Sequence, residues 1–387
     1  MKIAIVRGKF LNRYEMQFFE PLAGNLPAGK ARFDITAFGS LKPYHDQFKF
    51  PDVKLPSPLD LPDFPYKMPL LNRLLVDAHY LWGLEEKLKG FDIVHSAETY
   101  FHYTQQCLDA KKKGYVKKVI ATVLENIPFN NEGIWGRKKF KKRARVELDH
   151  IIALTNLTRK ALIAEGTDPG KITVISHFVD TKRFAPSKAA LARRNSTSSN
   201  ITVLFVGRLE AYKGVYEILE AARRLIADAQ LKKYSLTFTF AGEGSQKKAL
   251  ESLEKKYGIG RFVSHTQVPY DRMPEVYDSA DIFVAPSKAM QTWQEQYCTA
   301  LLEAQANGLA IVTTRSGGIP ENIGAAGILI PPGDPPALAR EIKNLIVHPQ
   351  LRLAYAQKAR KRALAVHDSR IGAKKLAQLY YSILPDS

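Results

Sequence analysis

The sequence predicts two open α/β domains, each a parallel sheet with helices on its faces. Three observations carry this. Short apolar runs of strand length alternate with longer amphipathic stretches along the chain, the rhythm of βα units. The 387 residues suit two or three domains, and halves of about 190 residues bury a sufficient core without disulfides. One stretch, "PSKAALARRNSTSSN" (186–200), loses periodicity, ends in Ser, Thr and Asn, and is followed at once by a fresh strand. The linker is expected there.

In the first half the expected strands are "KIAIV" (2–6), "FDITAF" (33–38), "DIVHS" (92–96), "KVIATVL" (118–124), "HIIALT" (150–155) and "ITVIS" (172–176). Residues 41–70 are crowded with proline and aromatics. They are too apolar for a disordered linker and are read as an ordered loop lining a cleft. In the second half the expected strands are "ITVLFVG" (201–207), "SLTFTFAG" (235–242), "FVSHTQ" (262–267), "DIFVAPS" (281–287), "LAIVTT" (309–314) and "GILIPP" (327–332). A short helix is expected over 273–279. Another is expected over 299–306, stopped by Asn307-Gly308.

Composition narrows the function. Apolar residues are 45% and charged residues 25%, which fits a globular chain and not a disordered one. Cys107 and Cys298 match no metal or redox spacing and suit a reducing compartment. The start "MKIAIVRGKF" reads as a buried strand and not as a signal peptide, and no run reaches membrane-helix length. The expected location is cytoplasmic. The net charge is +19, and residues 1–200 carry 33 basic against 20 acidic side chains, a net +13. The densest run, "GRKKFKKRARVE" (136–147), draws phosphate-rich partners, with a solvated helix face as the plainer reading.

Ligands of open parallel sheets bind beyond the carboxyl ends of the strands, so the chemistry is sought there. After strand 201–207 comes "GRLEAYKG". Gly207 lets the chain turn, and Arg208 and Lys213 place two cations before a helix N-terminus, a pocket suited to a diphosphate. A lone Arg and Lys five residues apart are otherwise ordinary surface charge. "AGEG" follows the next strand, and Val268 lies just past the one after. Then "WQEQYCTALLEAQANG" sets Glu295 before a helix and Glu303 within its first turns. Taken alone these would be two charges on a solvated face.

Together, "VGRLEAYKGV", "AGEG", "ADIFVAPS" and "WQEQYCTALLEAQANGLAIVTTRSGGIPE" resemble the group 1 (family four) retaining glycosyltransferases of the GT-B fold. The resemblance covers residues 201–335 strongly. It extends through "FDIVHS" and "ITVISHFVDTKRFAP" in the first half and through a last helix that crosses back to the first domain. It implies an acceptor-binding Rossmann-like domain over 1–185 plus 368–387, and a nucleotide-sugar donor domain over 201–367. Arg208 and Lys213 would hold the diphosphate, Glu303 the ribose, and Glu295 the donor sugar. Gln296 and the amides of Tyr297, Cys298, Thr299 and Ala300 would line the same wall, with the base near Val268. On the acceptor side stand Gly8, Glu98, Glu125 and Asn126. Glu125 is favoured as the catalytic group there, Glu98 is second, and His95 is read as structural.

Two departures stand out. Relatives often carry Gly at the position of Cys298 and a pair of glycines near the N-terminus, where this chain has only Gly8. No metal site of the DxD type is evident, so no metal or other cofactor is expected. The function implied is hexosyl transfer, with retention, from a UDP- or GDP-type sugar to a glycan or lipid-linked acceptor. Peripheral contact with anionic membrane, at its inner face, is expected through 137–145. A small-molecule acceptor, or sugar-nucleotide binding without catalysis, is the alternative. A nucleic-acid partner is disfavoured because no recognised motif accompanies the charge.

Overall fold

The computed structural model describes residues 1–23, 33–45, 47–196 and 198–384. It divides into two compact units: residues 1–178 with 369–387, and residues 179–368. The first unit is built on β1 (Lys2–Gly8), β2 (Asp34–Ser40), β3 (Asp52–Leu55), β4 (Phe91–Ala97), β5 (Val116–Val123), β6 (His150–Ala153) and β7 (Ile172–Val174). These form one parallel sheet in the order β3-β2-β1-β4-β5-β6-β7. The strands read as near-continuous apolar runs because both faces are covered. In β1, Ala4 and Val6 enter one core cluster with Cys107 and Leu108 of the helix His102–Lys112. Ile3 and Ile5 enter the opposite one with Leu376 and Tyr380 of the helix Ser369–Ile383. The last helix therefore belongs to the first unit, as the resemblance implies; residues 385–387 of the expected span lie outside the described residues.

The second unit holds β8 (Asn200–Val206), β9 (Ser235–Ala241), β10 (Val263–Thr266), β11 (Ile282–Ala285), β12 (Ala310–Thr314) and β13 (Ile328–Ile330). Its parallel order is β10-β9-β8-β11-β12-β13. The helix Val215–Ala227 buries Val215, Ile218, Leu219, Ala222 and Leu225, an apolar stripe at helical spacing, against Val203, Phe205 and Phe238 of this sheet. In both sheets the chain runs outward on one side, returns to the centre and continues on the other. The reversals fall between β1 and β4, and between β8 and β11.

Two sequence expectations change. Residues 41–70 are more than a loop: they contain the edge strand β3 and lead into the helix Lys67–Leu75. The expected linker is not a spacer either. The chain passes between units at residues 178–179 and 368–369, and Lys188–Asn195 is a helix of the second unit. Ser187 caps it by accepting from the amide of Ala190 at 3.1 Å. Arg194, only 8% exposed, builds it in by donating to the carbonyls of Ala280, Tyr277 and Asn307. Thr197 of that segment lies outside the described residues.

Candidate functional site

The reversal between β8 and β11 is where a parallel sheet opens a crevice at its carboxyl edge. The segment after β8 carries Arg208 and Lys213 and ends at Gly214, whose φ is +78°. A Cβ on Gly214 would stand 2.1 Å from the carbonyl oxygen of Pro286, just past β11, so the two loops meet backbone to backbone. That contact brings Lys213 to the segment 287–298. Its ammonium donates to Glu295 Oε2 at 2.7 Å and sits 4.9 Å from the Trp293 ring, which packs on Tyr212. Ser287 Oγ donates to the same carboxylate oxygen at 2.8 Å. Burial pulls the Lys213 pKa down, but the Glu295 carboxylate more than offsets this and keeps the ammonium charged.

Glu295 is 5% exposed and is held by its backbone as well. Its carbonyl accepts from the amide of Gly318 at 2.8 Å, and a Cβ on Gly317 (φ +52°) would lie 1.9 Å from that oxygen. The loop after β12 thus clamps Glu295 only because residue 317 is glycine. Arg208 is exposed, with its guanidinium 5.5 Å from the Tyr212 ring and within electrostatic reach of Lys213.

The helix Thr299–Ala306 starts where the sequence predicts. Thr299 and Ala300 lie in its first turn, where amides lack intrahelical acceptors. Asn322 donates to the carbonyls of Tyr297 and Cys298, fixing the turn that feeds them. Cys298 precedes the helix with φ +61° and ψ 82°, a left-handed conformation that suits glycine far better. Its thiol is pushed up to about 12, first by burial and then by Glu295, so it is a neutral wall residue. Gln296 is half-buried beside it, and Val268 is half-buried beyond β10. Glu303 faces inward. It is 4% exposed, and its two oxygens accept from the hydroxyls of Tyr270 and Tyr277, each at 2.7 Å. Burial raises its pKa and the two phenols oppose the rise.

In the first unit the expected residues also stand at carboxyl ends of strands. Gly8 closes β1 at φ +54°, Glu98 follows β4, and Glu125 and Asn126 follow β5. Their roles separate. Glu125 serves its own loop: Oε1 accepts from the amides of Asn126 and Ile127, and Oε2 from the side chains of Asn130 and Asn131. Glu98, at φ +58° and 4% exposed, accepts through Oε1 from the amides of Leu124 at 2.9 Å and Glu125 at 3.2 Å. Its Oε2 is buried without a partner among the described residues. Burial, reinforced by the nearby Glu125, raises the Glu98 pKa to about 8. Asn126 is 2% exposed. His95 is structural, bonded to Tyr380 Oη and Thr122 Oγ1 at 2.7 Å each.

The basic run is less free than its charge count implies. Arg137 pairs with Asp77, Lys141 and Arg145 with Glu165, and Arg143 with Asp109 and Glu147. Lys138, Lys139 and Lys142 are the exposed cations of this helix. Sequence reasoning missed Ser287, Tyr270 and Tyr277 as partners of the two glutamates, and Trp293 as a neighbour of Lys213. Only the placement of Ser287 at the end of a predicted strand hinted at it.

Comparison with known proteins fits this geometry. Residues 188–362 match the family model of glycosyl transferases group 1, and residues 31–183 match that of glycosyltransferase family 4. A D-inositol 3-phosphate glycosyltransferase of Corynebacterium urealyticum is 30% identical over 234 residues, 57% of this chain and 54% of that one. A phosphatidylinositol N-acetylglucosaminyltransferase subunit from Arabidopsis thaliana is 26% identical over 260 residues, 66% of this chain and 54% of that one. The chain thus spans about half the length of these curated relatives. The crystal structure of Anabaena HepE with UDP and glucose superimposes with a TM-score of 0.76 at 17% identity, covering 99% of this chain and 100% of that one, a likeness of fold. With one half matching each family model and both sheets ordered as described, the chain belongs to the group 1, family four glycosyltransferases and has the GT-B fold.

Proposed function

We propose that the chain transfers a hexosyl group, with retention, from a nucleotide-diphosphate sugar of UDP or GDP type to a glycan or lipid-linked acceptor. The second unit takes the donor and the first the acceptor. The observation that carries this is the Lys213–Glu295–Ser287 cluster, with Arg208 beside it, at the reversal of the second sheet. Glycosyl transfer breaks the bond from the anomeric carbon to the diphosphate and forms one to the acceptor oxygen, through an oxocarbenium-like state. Negative charge grows on the leaving diphosphate. Fixed cations aimed there stabilise it more than they stabilise the ground state. Arg208 and Lys213 fill that role in this reading, without a divalent ion or other cofactor. Glu295 anchors the ammonium and faces the donor sugar. The acceptor proton passes to the leaving diphosphate oxygen, so no enzymic nucleophile is required.

On the acceptor side this reading prefers Glu98 to Glu125, because Glu125 is consumed by its own loop. With its pKa near 8, Glu98 is a neutral acid at pH 7 and can donate a hydrogen bond from Oε2 to a sugar or acceptor hydroxyl. The UDP and glucose in the HepE crystal support a donor of this kind, and the name of the Arabidopsis relative supports a lipid acceptor; the name of the Corynebacterium relative, an inositol phosphate glycosyltransferase, favours the alternative of a small-molecule acceptor. Among the described residues no helix is long and apolar enough to cross a membrane. The proposed place of work is the cytoplasmic face of a membrane, in peripheral contact. A thermal-shift screen against UDP, GDP and their sugar conjugates tests the donor site, because a ligand that binds only the folded state raises Tm. At least one nucleotide is expected to do so; a flat response to all of them sinks the reading.

A further inference from the structure

At the far end of the loop between β5 and the helix Arg137–Glu147, the first unit carries an apolar surface made of side chains that the site described above does not use. The helix Lys67–Leu75 is held from beneath. Leu71 and Lys67 are each 7% exposed, and the Lys67 ammonium donates to the carbonyls of Leu59 and Leu61 and to Asp63. Its outer side is apolar: Leu70 and Leu74, one turn apart, are 49% and 69% exposed, and Tyr66 just before them is 83% exposed. The segment before the basic helix lies against it. A Cβ on Gly136 would meet Val76 Cγ1 at 2.4 Å, and Arg137 pairs with Asp77, so the two segments are pinned together. Between them Met68, Pro69, Asn72, Arg73, Ile134 and Trp135 line a cavity of about 850 Å³. Trp135 is 70% exposed at its lip.

We infer that this surface seats on an anionic phospholipid bilayer, with Leu70, Leu74 and Trp135 entering the acyl boundary and Arg73, Lys138, Lys139 and Lys142 meeting the head groups. Large apolar side chains scattered singly over a surface are ordinary, whereas leucines and aromatics exposed side by side mark an interaction surface. Charge selects the occupant. Lys138, Lys139 and Lys142 fall at one-turn spacings within the helix Arg137–Glu147 and share one face, and Trp135 stands just before that helix. The nearby acids Asp77, Glu147 and Glu165 are already bound to Arg137, Arg143, and Lys141 with Arg145. The exposed acid at this end, Asp63, bonds Lys67. What remains outward is apolar and positive, the pattern of a helix lying in a lipid interface. A second copy docking symmetrically would set the same four cations against each other. The basic run thus acts through three of its lysines, and the apolar side chains beside them, unmarked in the charge pattern, supply the depth.

The test is co-sedimentation of the full chain with phosphatidylcholine vesicles and with phosphatidylcholine–phosphatidylglycerol vesicles. Binding is expected to the anionic vesicles and far less to the neutral ones, with Trp135 fluorescence quenched by brominated acyl chains. Lys138→Gln with Lys139→Gln and Lys142→Gln weakens partition by about a hundredfold, at about fivefold per lysine. Leu70→Ser with Leu74→Ser keeps the preference for anionic lipid but abolishes the quenching. Both variants change exposed side chains, and unchanged melting curves confirm that they fold. Equal binding to both vesicles, no binding to either, or undiminished binding by the variants overturns the inference, as does self-association that the leucine variant abolishes. The nucleotide thermal shift is read separately, so failure here and failure of the donor-site reading are distinguishable.

Discussion

Replacing Glu98 by Gln tests whether its acid is neutral in the folded protein. The wild-type side chain is buried after β4, its Oε1 spans two amides, and burial together with the nearby Glu125 raises its pKa from 4.5 to about 8, with Lys141 opposing. Between those two values the folded state keeps a proton that the unfolded chain has released. Raising the pH therefore favours unfolding: the contribution is intact below about pH 4.5 and is lost as the pH rises through about 8. Each pH unit in that window costs about 1.4 kcal/mol, so stability falls by about 4 kcal/mol from pH 5 to pH 8 through this one group. Glu98→Gln keeps the shape and the acceptor for the two amides but does not titrate. Most other titrating groups are common to both proteins and cancel in the difference. Urea unfolding of both across this range is expected to show the variant within about 1 kcal/mol of wild type at pH 5 and gaining on it steadily. A difference that stays flat with pH, or a wild type that gains on the variant, refutes the reasoning.

Four further outcomes follow from the donor-side geometry. Glu295→Ala should lower transfer at least about a hundredfold while a nucleotide still raises Tm, read by product formation and by melting with and without nucleotide. Arg208→Ala, at an exposed position, should leave the ligand-free stability within about 0.5 kcal/mol but weaken nucleoside diphosphate binding about tenfold or more, measured by calorimetry. Gly317→Ala puts a methyl 1.9 Å from the Glu295 carbonyl at φ +52° and should cost about 2–4 kcal/mol in urea unfolding, with transfer falling alongside. Arg194→Leu strips the buried carbonyls of Tyr277, Ala280 and Asn307 of their donor and should destabilise the second unit by about 3 kcal/mol or more, seen as an earlier urea transition.

What the sequence made legible is what depends on near neighbours. Parallel strands buried on both faces leave unbroken apolar runs, so β1, β8 and β12 could be placed to within two residues. Thr299–Ala306 ends at Asn307-Gly308, a stop written in adjacent letters. The short edge strand β3 has only four residues, two of them charged, and gives no period to detect. The helix Lys188–Asn195 reads as a spacer because the group that builds it in, Arg194, bonds carbonyls more than eighty residues away.

Glu295 and Glu303 show the same limit at the candidate site. They are one residue type, eight positions apart, and each is nearly buried. Glu295 meets an ammonium from Lys213, 82 residues earlier, and the hydroxyl of Ser287. Glu303 meets two phenols from the helix before β11 and the turn preceding it. The same letter thus becomes the partner of a lysine ammonium at one position and a buried carboxylate with a raised pKa, bonded by two phenols, at the other. Cys298 lies between them and joins the two scales. A glycine was expected there by resemblance, and the backbone states why: at φ +61° the chain turns left-handed to feed the helix amides, a conformation costly for a side chain, and Asn322 helps to hold it by donating to the carbonyls of Tyr297 and Cys298.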